Sequence, residues 1–245
     1  MRALAVVLVT LVLAGCGSDP GSDSGPDPSS DNSSDRTQPT GYRGCTANDV
    51  AGQGKVVAKA DLDGTGGTET IRLIGASDRR CHNSLVAVVE GRLVGTDVSR
   101  LHLVQNRAHA VQLHGKAAAD LVLLWSQPHP RGGSQPHLFG LRDSGRLVEV
   151  TLDGRPVLPF VATDGGGSPM TATCTGSGGI AVFTAVAHQP PGIVLAWDVT
   201  RTTYDVRDGR AMAVGSSMVQ EAAADPALRR SRPELFSGKL FANCD

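Results

Sequence analysis

Hydrophobic positions fall into three regimes along the 245-residue chain. Residues 3–13 are one apolar run, broken only by Thr10. Residues 17–40, GSDPGSDSGPDPSSDNSSDRTQPT, hold no aliphatic or aromatic side chain apart from proline. From residue 41 onward the apolar positions come in short runs bounded by Gly, Asn, Asp and Pro, such as TIRLIG (70–75), DLVLLWS (120–126) and IAVFTAV (180–186). Runs this short, with turn residues on either side, predict buried strands and not helices.

The strand-like region repeats itself. Three segments align on Gly64, Gly115 and Gly176, which lie 51 and 61 residues apart. Each reads as a short strand, a glycine-containing loop, an apolar strand, a variable loop and a strand–turn–strand hairpin, with Gly91, Ser144-Gly145 and Asp208-Gly209 at the hairpin turns. The expected fold is all-β: three degenerate four-stranded propeller-like repeats at about 51–102, 103–153 and 156–219. They would form an incomplete propeller or a compact β-barrel or sandwich, because ordinary propellers need about four to eight blades. Ring closure by association is a further option. In the tail, 220–245, Asp225-Pro226 suits the N-cap and first position of a short C-terminal helix. The tail is expected to pack on an open sheet edge, pinned by Cys244.

Asp61-Leu62-Asp63-Gly64-Thr65-Gly66-Gly67-Thr68-Glu69, followed by an apolar strand, resembles the FG-GAP or VCBS-type repeat, the blade of integrin-like β-propellers. That resemblance implies a calcium loop. Oxygen ligands at loop positions 1, 3, 5, 7 and 9 can wrap one hard cation, here Asp61, Asp63, Thr65, the Gly67 carbonyl and Glu69. Thr65 departs from the usual Asp or Asn. The second loop keeps only Gly115 and Asp120, and the third has no carboxylate, so Ca²⁺ is expected in loop one alone.

The N-terminus is a basic Met-Arg start, a short apolar stretch and small residues before Cys16, the pattern of a secretory signal. The run is about half the ~20 residues of a membrane-spanning helix. Leu13-Ala14-Gly15-Cys16 resembles the lipobox of bacterial lipoproteins. The resemblance implies cleavage after residue 15, a diacylglyceryl group on the Cys16 thiol and an anchor on the outer face of the cell membrane. At least two acyl chains are needed for such an anchor to hold. Residues 16–40 then form the lipidated cysteine and a tether too polar to fold, about 27 Å long as a coil, leaving 41–245 as one β-rich domain.

Charge and cysteines sharpen this picture. The chain has 23 basic and 24 acidic residues, and the tether holds five Asp and one Arg. A nearly neutral domain argues against nucleic acid as a partner. Nineteen Arg against four Lys suggest a high-GC genome, and with the lipobox resemblance the expected source is a high-GC Gram-positive bacterium. With Cys16 lipidated, four cysteines remain, an even number that in an exported domain reads as two disulfides. Cys81 and Cys174 belong to opposite ends of the repeats, which favours Cys45–Cys81 and Cys174–Cys244.

Standard catalytic motifs are absent from the sequence: it has no G-x-S-x-G, S-x-x-K, H-E-x-x-H or P-loop. Ser177, among glycines, reads as a turn serine. Histidines recur in the loops between each repeat's first two apolar strands: His82, His129, His137 and His188. These loops should emerge opposite the glycine loops, with Arg79, Arg80 and Arg131 beside them, as candidate metal or anion ligands. The expected role is a non-enzymatic binding or scaffolding module that meets an envelope protein or glycan. The alternatives are a hydrolase or other enzyme using the His/Arg face, and a solute-binding lipoprotein.

Overall fold

The computed structural model describes residues 42, 44–76, 81–113, 118–127, 133–158, 169–188 and 195–244. The signal, Cys16 and the tether lie outside them, as do His129, Arg131, Arg79, Arg80 and Gly115.

The fold is all-β with two short helices, one before the first strand and one after the last. Each repeat forms an antiparallel meander. Sheet 1 joins β1 (Lys55–Ala60), β2 (Glu69–Ile74), β3 (Ser84–Val89) and β4 (Arg92–Asp97) in chain order. Sheet 2 does the same with β5 (Leu103–Val111), β6 (Leu121–Ser126), β7 (Gln135–Arg142) and β8 (Arg146–Glu149). Next come a two-residue pair, β9 (Thr151–Leu152) and β10 (Arg155–Pro156), and then β11 (Met170–Cys174), β12 (Gly179–Ala187), β13 (Ala196–Arg207) and β14 (Arg210–Ala224). The last four are the third meander. The β9–β10 hairpin adds to β14 and makes sheet 3 six-stranded.

Turn chemistry explains the tight hairpins. Glu90-Gly91, Asp153-Gly154 and Asp208-Gly209 each place two residues at positive φ between paired strand ends. This is the backbone of the two-residue turn that matches strand twist. Gly209 is required twice over: its φ is +66°, and a Cβ there would stand 2.1 Å from Val148 Cγ2. The tip of the β13–β14 hairpin thereby closes onto Val148 of sheet 2, and the Gly209 carbonyl accepts from the Thr151 amide of β9 at 3.3 Å.

Sheet 2 is the middle layer. On β6, Leu121, Leu123 and Trp125 pack with Ala172, Ile180 and Val182 of sheet 3, while Val122 and Leu124 pack with Ile71 and Leu85 of sheet 1 and Leu62 of its β1–β2 loop. β1 lies along β5 and β4 along β8, so the first two meanders stack strand on equivalent strand like neighbouring blades.

Both outer faces are capped. Helix α1 (Ala47–Val50) begins in a capping box between Thr46 and Asp49. Its Val50 joins Ile74, Cys81 and Val86 on the far side of sheet 1, where Cys45 is bonded to Cys81. Helix α2 (Asp225–Ser231) and the 3₁₀ turn Pro233–Phe236 bring Leu228 and Leu235 against Ala185 and Val199 of sheet 3. The helix and 3₁₀ turn thus cover a face of the sheet, while the rest of the tail runs along its open edge as expected: the Phe241 amide donates to the Ala172 carbonyl of the edge strand β11 at 2.7 Å. The helix cap differs from expectation. The N-cap is Ala224, without a side-chain cap bond, and Asp225 is the first helical residue. Beyond it, Leu240, Phe241 and Cys244 enter the core between sheets 2 and 3, and Cys244 bonds to Cys174. Among the described residues no helix is long and apolar enough to cross a membrane.

Candidate functional site

The loops β1–β2, β3–β4, β5–β6, β7–β8, β11–β12 and β13–β14 gather at one end of the molecule, around a groove of about 780 Å³. Its floor is apolar, with Leu62, Leu113, Leu121, Leu141 and Val206. Its rim carries charge of both signs, including Asp63, Glu90, Arg92, Asp143 and Arg207. The volume falls within the range of small-ligand sites. Asp208, at the tip of the β13–β14 hairpin, fixes one wall. Its carboxylate accepts the Asp143 amide at 3.0 Å, and its carbonyl accepts Arg142 Nε at 3.3 Å.

The β1–β2 loop stands on this rim. Asp61, Asp63 and Glu69 each offer a carboxylate oxygen, and these oxygens lie within 4.8 Å of one another. The loop is held open by hydrogen bonds to those same side chains. Asp61 Oδ2 accepts the Gly66 amide at 2.8 Å, Glu69 Oε2 the Leu62 amide at 2.8 Å, and Asp63 Oδ1 both the amide and the hydroxyl of Thr65, at 3.0 and 2.7 Å. The Thr65 hydroxyl is the main reason the Asp63 carboxyl is held below its ordinary value; burial opposes this, and the Thr65 amide reinforces the lowering. Carboxylates this close repel one another when ionised, and a cation among them relieves that repulsion. Asp61 Oδ1 is buried and has no hydrogen-bond partner, which costs free energy that a bound cation would recover. Such an acidic triad can bind a metal ion. Of the five expected ligands the structure brings three carboxylates together, and the Thr65 hydroxyl is engaged by Asp63.

Asp120 was singled out in sequence only as a remnant of the second loop, yet it anchors the first. It is buried, its Oδ2 accepts the Asp61 amide at 2.9 Å and its Oδ1 the Leu113 amide at 3.1 Å, while its own amide donates to the Asp61 carbonyl at 2.7 Å. A signal for this role is present in the chain. Glu69 and Asp120 each follow their repeat's glycine by five residues and bind the amide two residues before it, Leu62 or Leu113.

By the alternation of the meanders, the histidine loops belong to the opposite end. Among the described residues the histidines there do not converge on a shared metal position. His82 is exposed. His188 Nδ1 meets the Asp198 carboxylate at 2.9 Å. The Asp198 carboxyl is held below its ordinary value, first by the Ala222 amide and then by His188. His137 is not in a loop as expected but on β7, buried between Ser126 and Glu149, because the strand starts at Gln135, before it. Ser177 lies at the groove with its hydroxyl 3.2 Å from that of Thr175.

Comparison with family models, with curated proteins and with solved structures finds no match to this chain.

Proposed function

We propose that the chain is a lipoprotein anchored to the outer face of the cell membrane through Cys16, whose β domain is a binding or scaffolding module of the cell envelope. Its ligand, an envelope protein or glycan, would enter the hairpin-end groove beside a Ca²⁺ ion held by Asp61, Asp63 and Glu69. The observation that carries this reading is the convergence of the three carboxylates on the rim of a groove to which all three sheets contribute. Carboxylates on an irregular loop suit Ca²⁺, which tolerates varied geometry, better than Mg²⁺, which demands a near-ideal octahedron. The two disulfides are compatible with an extracytoplasmic location.

Thermal unfolding with Ca²⁺ or with EDTA tests the metal. A ligand at a hundred times its Kd stabilises the folded state by about 2.7 kcal/mol. The midpoint should rise with Ca²⁺ and fall with EDTA in the native chain, and stay fixed in an Asp61→Asn/Asp63→Asn double variant. An unchanged midpoint in the native chain would reject the cation. Labelled palmitate tests the anchor separately: incorporation should vanish in Cys16→Ser, and equal labelling of that variant would reject lipidation at Cys16.

A further inference from the structure

We propose that Ser126, His137 and Glu149 form a nucleophilic relay that cleaves small, uncharged esters, with Ser126 as nucleophile, His137 as general base and Glu149 as the positioning residue. The inference is independent of the cation loop, which lies at the other end of the strands.

The three residues come from adjacent strands of sheet 2: Ser126 ends β6, His137 is near the start of β7 and Glu149 ends β8. Strand alternation places them on one face, the face that β6, β7 and β8 turn to sheet 1 with Leu124, Phe139 and Leu147. Ser126 Oγ lies 2.8 Å from His137 Nε2, and His137 Nδ1 lies 2.8 Å from Glu149 Oε1. A carboxylate can only accept, so the neutral ring carries its hydrogen on Nδ1 and turns the Nε2 lone pair to the serine hydroxyl. That tautomer is the one a general base needs, and a nucleophile, a base and a group orienting the base, each within hydrogen-bond reach, are the parts of an acyl-transfer relay.

The surroundings define the substrate. Ser126 is 3% exposed and His137 5%, whereas the Glu149 side chain is 28% exposed. Leu103 pairs with Ser126 across the sheet, and Leu124 with His137. Three polar side chains set in an apolar layer must be fully satisfied to be tolerated there, and an aliphatic set would fill the space without that demand. A short acyl ester without charge suits such a site, and a charged or bulky one does not.

The step balances without a co-reactant other than water. Ser126 Oγ bonds to the carbonyl carbon as its proton moves to His137 Nε2; the ester C–O bond then breaks and the leaving alcohol oxygen takes that proton, leaving an acyl-serine. Water then attacks the same carbon, its proton passes to Nε2, the C–Oγ bond breaks and Ser126 recovers a proton. Ester and water become acid and alcohol with no change of oxidation state.

Phenylmethanesulfonyl fluoride, which is small and uncharged, is the probe. Incubated with the intact folded chain, it should give one covalent adduct, located on Ser126 by peptide mass spectrometry, with EDTA having no effect. The rate should fall about 100-fold in His137→Gln, in keeping with loss of a general base. Glu149→Gln should alter the pH profile of labelling, a readout that a packing role would not move. Circular dichroism would establish that the variants remain folded. An unmodified Ser126 in the native chain overturns the proposal whatever the variants do, and so does an adduct that forms equally fast in folded His137→Gln.

Discussion

The Asp225 carboxylate makes two charge-assisted bonds, one that joins helix α2 to sheet 3 and one within the helix. Its Oδ1 accepts Trp197 Nε1 at 2.9 Å and its Oδ2 accepts Arg229 Nε at 2.7 Å. Arg229 first, and Trp197 second, hold the Asp225 carboxyl below its ordinary value. Because the folded-state value lies below the unfolded one of about 3.9, the contribution is complete above that value and disappears as the pH drops through the folded-state value. Acidification below the ordinary carboxylate range should therefore release the Trp197 indole and change its fluorescence, read in a Trp125→Phe background. An Asp225→Ala variant should lack that acid step and show the released signal at neutral pH. Sequence alone marked Asp225 as a cap, since Asp before Pro is a common helix start. Its tie to Trp197, 28 positions earlier, depends on how the tail folds back.

At the scale of elements, the strands were the most legible part of the chain. Their apolar runs are short and turn-bounded, and Asp208-Gly209 and Gly91 marked hairpins that the structure contains. The β9–β10 hairpin had a comparable signal in Asp153-Gly154. It went unread because two-residue strands carry no periodicity. The positions of the glycines were readable, but the reason Gly209 admits no side chain was not, since Val148 approaches it from another sheet. Gly209→Ala should cost about 1–3 kcal/mol through backbone strain and overpacking, measured by denaturant unfolding. Gly91→Ala, where a Cβ meets nothing within 4 Å, isolates the backbone part and should cost less.

For the whole molecule, stability rests on closing the layered core with residues far apart in sequence. Cys174–Cys244 spans 70 residues and fixes Phe241 between sheets 2 and 3. In the chain-entropy model such a link contributes about 4 kcal/mol. A Cys174→Ser/Cys244→Ser variant should lose about 2–5 kcal/mol, seen as a lower melting midpoint that reductant no longer moves through this bond. The candidate sites were half legible. The acidic loop declared itself by its spacing, whereas the Ser126–His137–Glu149 contact arises from strand register, which no local motif encodes. That register raises a problem of its own. All six residues of β6 are buried, so a slip along β5 or β7 would still bury leucine and valine, and hydrophobicity barely distinguishes the correct alignment from its neighbours. Asp120 just before the strand and Ser126 at its end can make their hydrogen bonds only in the native alignment. These two polar residues act as index marks on a ruler whose graduations are otherwise alike.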